Sequence, residues 1–410
     1  MKQWILRFSV LLLVSACASS STPTPDVPDA PVPPGTPPPT SNVEPTLSRT
    51  VVASGLSNPW DLAVLADGTI FYTERCRGLS VRRPDGTTTR LFGTSGSSLV
   101  ASDFFCEGQS GMHGVALDPN FAANRTLYIY MPSNLTTAPR ANRIVRLQLD
   151  AGFTTASART DIVTGIAFKE VSTANGGSGS HSGGRISFGP DGFLYVGTGD
   201  NHSGTIPQSP TSLGGKVLRV TRDGAAAPGN NAPSGFDARI YTYGHRNVQG
   251  ITFRPGTGQP FSAEHGPNHS DEVTPLVAGG NGGWDPKNRN ISCPDNYCGY
   301  SSDPIAMPMT DVVRFPSAMR PSWSNNGNSR GMGPAVFLSG TQWRSWDGRM
   351  LVSIMGAQIV NLLTFNTAGL TTAVGTSGLP STRVRALTQG ADGNLWVSTD
   401  SGEIWRVTPS

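Results

Sequence analysis

One short cassette recurs along this chain and limits what it can fold into. A turn built on Asp-Gly is followed by a strand of aromatic and β-branched residues. It reads ADGTIFYTE at 66–74, GPDGFLYVGTGD at 189–200 and ADGNLWVSTD at 391–400. Looser copies are DPNFAANRTLYIYM at 118–131 and WDGRMLVSIMG at 346–356. The glycine supplies the positive φ of a tight hairpin, and the strand after it alternates its two faces. Repeated antiparallel units of this kind predict an all-β ring, a β-propeller, over a pair of sandwiches. The clear copies lie one to two blade lengths apart, so insertions are expected between them. The 49 glycines and 33 prolines among 410 residues fit a turn-rich body in which helix-period stretches are scarce. Asn58-Pro59-Trp60-Asp61 opens the first blade, and Ile404 to Val407 forms a terminal strand able to close the ring.

The ends and the charge narrow the class. Lys+Arg 31 against Asp+Glu 28 leaves +3, too balanced for a nucleic-acid or anionic-membrane partner. Lys2 and Arg7 give a basic start, and the mainly apolar run Trp4 to Val14 is too short to span a bilayer. The run ends in Val14-Ser15-Ala16-Cys17, which resembles a bacterial lipobox, so residues 1–17 read as a lipoprotein signal segment with Cys17 lipidated. Residues 18–46 are rich in Pro, Ser and Thr and read as a tether, leaving 47–410 as the propeller. This places the protein in the bacterial cell envelope, on the outer membrane, with membrane contact only through the lipid. Cys76, Cys106, Cys293 and Cys298 remain. An exported chain with an even count favours disulfides, and of three pairings the local Cys293–Cys298 leads, with Cys76–Cys106 following. No C-x-x-C pair supports a four-thiolate zinc site.

The densest chemistry lies between Ile240 and Trp284. Strand-like IYTY gives way to GHRNVQG, then ITFRP, then GTGQPFSAEHGPNHSDEV and a close in NGGWD. Gly266-Pro267 cannot continue a helix, so its carbonyls have no helical partner. Free carbonyls near Asp271 and Glu272 suit a hard cation such as Ca²⁺. The same break denies His265 and His269 the helix that zinc would need at that spacing. Three further segments carry polar groups at strand entries: CEGQSGMHGVALDPNF (106–121) with Gln109, SHSGGRISFGPDG (180–192) with His181 four residues before Arg185, and STRVRALTQGADGNLW (381–396). Arg383 and Arg385 stand one residue apart at a strand start, so both side chains point the same way, a fork suited to carboxylates. His181 suits a general base. His113 reads as a core histidine and His202 as a rim residue.

Together, GHRNVQG, EHGPNHSDE and GGNGGW resemble the soluble PQQ-dependent sugar dehydrogenases, a family of glucose, aldose sugar and sorbosone dehydrogenase-like proteins. The likeness runs from about Val51 to Val407. It implies six blades with the active site at the top of the central channel, and the cofactors PQQ and Ca²⁺. It implies oxidation of an aldose at C1 to the lactone, with hydride transfer to the quinone and His181 as base. By position, Gln109 matches the active-site glutamine, Arg246 the electrophilic partner of the quinone, and Asn247 and Gln249 further quinone contacts. Arg383 and Arg385 match the pair that grips the cofactor's carboxylates, Gly266 and Pro267 the carbonyls that hold its Ca²⁺, and Asp271 and Glu272 a carboxylate pair for a structural Ca²⁺. A small sugar and an unnamed electron acceptor are the implied partners. The chain departs from the pattern at Ser180, where a carboxylate often precedes the histidine, at His265, where glutamine is common, and at Gly356, about where a lysine falls; a threonine contact is also missing from NSRGMGPAV. The competing readings are a Ca²⁺-dependent lactonase-type propeller, which needs carboxylate and Asn ligands converging on the channel, and a non-enzymatic propeller binding module. No G-x-S-x-G elbow supports a serine hydrolase.

Overall fold

Each copy of the cassette turns the chain from the innermost strand of a blade into the second. The computed structural model describes residues 41–135, 140–170, 176–287, 292–300 and 303–410. In it, Asp67-Gly68 joins Pro59–Val64 to Ile70–Glu74, and Asp191-Gly192 joins Ile186–Phe188 to Leu194–Gly197. Asp392-Gly393 joins Val384–Gln389 to Leu395–Thr399 in the same way. The aspartate closes each turn by accepting the amide two residues on: Thr69 at 2.8 Å, Phe193 at 3.2 Å and Asn394 at 3.1 Å. The looser copies mark the same corner, before Thr126–Ser133 and before Met350–Ile354. A sixth corner, between Val248–Phe253 and Pro260–Glu264, is turned by Gly256 and Gly258 without Asp-Gly. The sequence repeat therefore hides one blade.

Six sheets result, antiparallel except for a short parallel edge pair in two of them, and their innermost strands neighbour one another in a closed ring. The architecture is a six-bladed β-propeller. Its last blade is composite: Leu47–Ala53 pairs with Ile404–Pro409, Leu47 opposite Pro409 and Val51 opposite Trp405. The terminal strand thus helps close the ring as expected, with the outermost strand supplied by the other end of the fold. That strand begins at Leu47, and the residues just before it already bond to the propeller, Val43 through the Ser345 amide at 3.0 Å and Thr46 through Ser410 at 2.9 Å. The signal segment, Cys17 and the tether to residue 40 lie outside the described residues. Among the described residues no helix is long and apolar enough to cross a membrane.

The core is six layers rather than one centre. Between the first two blades pack Phe71, Leu79, Leu127 and Val145; between the fifth and sixth pack Leu351, Leu362, Val397 and Trp405. Comparable layers fill the other four gaps, and the sixth-to-first layer (Leu62, Tyr72, Ala386, Trp396) completes the circuit. Strands so placed are covered on both faces, which is why Ile70–Glu74 and Leu395–Thr399 are buried throughout. The disulfides are Cys76–Cys106 and Cys293–Cys298, with Cα separations of 5.2 and 5.5 Å. The first ties a corner of blade one to the loop that enters blade two.

One buried ion pair crosses the channel. The Arg185 guanidinium, on the third blade, meets the Asp61 carboxylate of the first. It also donates to the carbonyl of Gln249 at 3.1 Å in blade four and of Arg385 at 2.8 Å in blade six. Asp61 in turn accepts the Val115 amide of blade two at 3.1 Å. Five of six blades are thus joined at one point. Burial pushes the Asp61 carboxyl up and the Arg185 guanidinium down, against their mutual attraction, so the pair depends on these extra partners.

Candidate active site

In an antiparallel blade, the start of the inner strand and the end of the second strand lie at the same end. Inner-strand starts from all six blades, and second-strand ends from the first, fourth, fifth and sixth, surround a cavity of about 930 Å³ at one mouth of the channel. Gln109, His181, Asn247, Gln249, Pro267, Arg383 and Arg385 all line it. Four motifs spread along the chain from Gln109 to Arg385 are therefore brought to one place. Arg246, Gly266, Asp271 and Glu272 are not in the lining.

His181 sits in the Gly/Ser loop that enters blade three, with φ of 49°. A non-glycine residue held there is backbone strain that the surroundings must maintain. The surroundings are tight: a Cβ on Gly199 would stand 1.9 Å from the His181 carbonyl oxygen. The side chain is 7% exposed. Its Nδ1 lies 2.7 Å from Oδ1 of Asp200, which supplies the orienting carboxylate that Ser180 does not. Asp200 ends the second strand of the same blade, in the quoted GTGD, so its position was legible from the corner rule even though it was not singled out. Its Oδ2 accepts Trp284 Nε1 at 2.8 Å and its Oδ1 also accepts the His202 amide at 3.0 Å. With donors on both oxygens, Asp200 acts as acceptor, His181 carries its proton on Nδ1, and Nε2 keeps a lone pair. Burial, and then the nearby Arg246 charge, hold the His181 pKa well below the usual imidazole value.

His202 corrects an expectation. It is not on the rim but 2% exposed, with its Nε2 2.7 Å from Nε2 of His181. The left-handed backbone at Asn201 and His202 turns the ring inward, beneath Tyr297 and Tyr300. A Gly/Ser-rich loop had suggested exposure; the aromatic side chains that cover it come from the distant segment 297–300. His113 is the expected core histidine. It is stacked on Trp60 at 4.6 Å, and burial drives its pKa down to about 3, while one ring edge still reaches the cavity.

Arg246 lies one layer behind the wall. Its main-chain amide meets Glu264, its Nη1 donates to the His265 carbonyl at 2.8 Å, and its guanidinium carbon is 5.9 Å from the Trp284 ring centre. Its Nε is buried without an acceptor among the described residues. Asn247 Oδ1 accepts from the Gly183 amide at 3.2 Å and from Gln249 Nε2 at 3.0 Å, locking the entries to blades three and four together.

Arg383 and Arg385 do share a side. Both reach the Asp400 carboxylate, at 2.8 and 2.5 Å, while Val384 between them is fully buried. Arg75 lines the same cavity, donating to the carbonyls of Gly108 and Ser110. It was missed because it follows the strand of an Asp-Gly cassette with no motif around it.

Asp271 and Glu272 serve different neighbours. Asp271 knits the turn: it accepts the Gly266 amide at 3.0 Å, Ser329 Oγ at 2.7 Å and the Arg330 amide at 2.7 Å. Glu272 accepts Thr310 Oγ1 at 2.8 Å, and burial, aided by Glu264 and Asp271, raises its pKa to about 8. Among the described residues no cluster of three or more His, Cys, Asp or Glu side chains converges as a metal site. Pro267 lines the cavity as irregular backbone, pinned through Gly266 by Asp271.

Over residues 56–406 the chain matches the family described as Glucose / Sorbosone dehydrogenase. It is 28% identical over 374 residues to aldose sugar dehydrogenase YliI of Escherichia coli, an alignment covering 89% of this chain and 93% of that one. It is 30% identical over 281 residues to quinoprotein glucose dehydrogenase B of Acinetobacter calcoaceticus, covering 62% and 54%. In fold, it is similar to the PQQ-bound form of an aldose sugar dehydrogenase from Streptomyces coelicolor, with a TM-score of 0.68 at 24% identity, covering 91% of this chain and 100% of that one.

Proposed function

The chain belongs to the glucose/sorbosone dehydrogenase family, and from that premise we propose that it is a PQQ- and Ca²⁺-dependent aldose dehydrogenase, oxidising a sugar at C1 to the lactone. The observation that carries the reading is a buried, carboxylate-oriented imidazole in the wall of a strongly cationic cavity. Arg75, Arg330, Arg383 and Arg385 line it against the single carboxylate of Asp400, so with neutral histidines its formal charge is 4 − 1 = +3. PQQ is a planar tricarboxylate, and that charge complements it. The Nε of Arg246, one layer behind the wall, is a buried donor without an acceptor among the described residues. For the metal, no three His, Cys, Asp or Glu side chains converge among the described residues, so the Gly266 and Pro267 carbonyls are the donors on offer. Carbonyl oxygens suit Ca²⁺ rather than zinc.

When bound, PQQ supplies the acceptor for the hydride lost from C1, and Ca²⁺ a Lewis acid beside it. The protein does the rest. His181 Nε2 takes the proton of the anomeric hydroxyl, exchanging its contact with His202 for one to substrate. Asp200 steadies the imidazolium that forms, as the buried carboxylate of a triad does. Arg383 and Arg385, held parallel by Asp400, hold a cofactor carboxylate. Gln109 positions the sugar, and Asn247 and Gln249 fix the cofactor edge.

The disulfides and the N-terminal segment support a place in the cell envelope, with Cys17 as lipid anchor to the outer membrane. The test is reconstitution: the purified protein, given PQQ and Ca²⁺, reduces an artificial electron-accepting dye in proportion to added aldose. Cofactor binding with no turnover on any aldose would overturn the substrate class.

A further inference from the structure

Three of the four cavity arginines are already engaged. Arg383 and Arg385 share Asp400, and Arg75 donates to two carbonyls. Arg330 also lines the cavity, is exposed to it, and has no side-chain acceptor among the described residues. Its backbone is nonetheless fixed on both sides. The Arg330 amide donates to Asp271 Oδ2 at 2.7 Å, and its carbonyl accepts the Gly356 amide at 2.6 Å. The flanking Gly331 carbonyl accepts the Met355 amide at 2.7 Å. Residues 330 and 356 therefore face each other across the mouth of blade five. Position 356 cannot supply a cation, because a Cβ there would come 2.2 Å from the Arg330 carbonyl oxygen. On this wall of the cavity, positive charge comes from position 330.

We propose that Arg330 is a cofactor-binding residue, its guanidinium holding one carboxylate of the quinone cofactor from the blade-five wall, where Gly356 offers nothing. This rests on the PQQ reading above. The physical logic is preorganisation: the backbone is fixed by the protein's own hydrogen bonds, the guanidinium has no protein acceptor among the described residues, and arginine pairs with a carboxylate by two parallel hydrogen bonds. Asp271 then has a purpose beyond its turn, since it fixes Arg330 and the Gly266-Pro267 bend through one carboxylate.

The experiment is direct titration of the cofactor-free full chain with PQQ in Ca²⁺, followed by quenching of tryptophan fluorescence, Trp60 being in the cavity wall. Arg330→Ala is expected to weaken binding about tenfold or more, the loss of one charge-assisted pair. Arg330→Lys is expected to recover part of it. PQQ with its carboxylates esterified should bind wild type and Arg330→Ala alike, which a merely structural role would not produce. Unfolding temperatures of the cofactor-free variants check the fold. Binding by Arg330→Ala within twofold of wild type overturns the proposal, as does unchanged PQQ affinity with a raised KM for the sugar, which would place Arg330 on substrate. If wild type itself binds no PQQ, the proposed function falls and this inference with it.

Discussion

Asp200 accepts the Nδ1 proton of His181 across 2.7 Å, at the same end of the same blade. The two are 19 residues apart, and the fold unites them because one enters the inner strand and the other leaves the second. This pairing decides which nitrogen faces the substrate. Asp200→Asn leaves the shape almost intact but offers Nδ1 a donor as readily as an acceptor. It is expected to lower kcat about 100-fold or more while PQQ affinity changes little. Steady-state kinetics beside a PQQ titration separates the two; a kcat within a few-fold of wild type would remove Asp200 from the account.

Burial, with the Arg246 charge behind it, keeps His181 neutral below the usual imidazole range. A base must be unprotonated to work, so kcat/KM should stay flat from neutrality to about pH 6, where a free imidazole is mostly protonated. An acidic limb centred at or above 6.5 in the pH profile would contradict this.

The Arg185–Asp61 pair should matter to stability rather than chemistry. Removing one partner leaves a buried charge, so Arg185→Ala is expected to cost about 3–5 kcal/mol in denaturant unfolding. The Asp61→Ala, Arg185→Ala double variant should lose less than the sum of the single losses. Simple additivity would show that the two do not act as a unit.

His113 makes folding sensitive to acid. Its folded pKa, about 3, lies below the unfolded value near 6.5, so the native state binds fewer protons. Its contribution is complete above about pH 6.5 and is lost as pH falls toward 3, at most about 1.4 kcal/mol per pH unit. His113→Phe keeps the stack on Trp60 and should flatten that part of the stability curve. An unchanged slope in pH-dependent unfolding would refute the assignment.

Much of this was legible beforehand, for definite reasons. Asp-Gly announced corners because the turn needs both the positive φ and the side-chain acceptor; the corner at Gly256 and Gly258 takes its acceptor from Thr257 rather than an aspartate, so no Asp-Gly marked it. Arg383 and Arg385 could be placed together because a strand's period is two. What escaped was whatever depends on contact between distant loops. His202 looks solvent-exposed until Tyr297 and Tyr300 fold over it. Arg246 looks like a wall residue until Glu264 and Trp284 draw it one layer back. Asp271 and Glu272 look like a pair until each is seen to have its own partners.

The central claim is that His181 removes the sugar's proton inside a cofactor-loaded cavity. The most direct measurement loads wild type and His181→Ala with PQQ and Ca²⁺, mixes each with excess aldose, and follows the absorbance of the bound cofactor in a single turnover. The account predicts equal loading, rapid reduction of the cofactor in wild type, and a rate lower by about 100-fold or more in the variant. Equal loading with equal rates would contradict it and require another base.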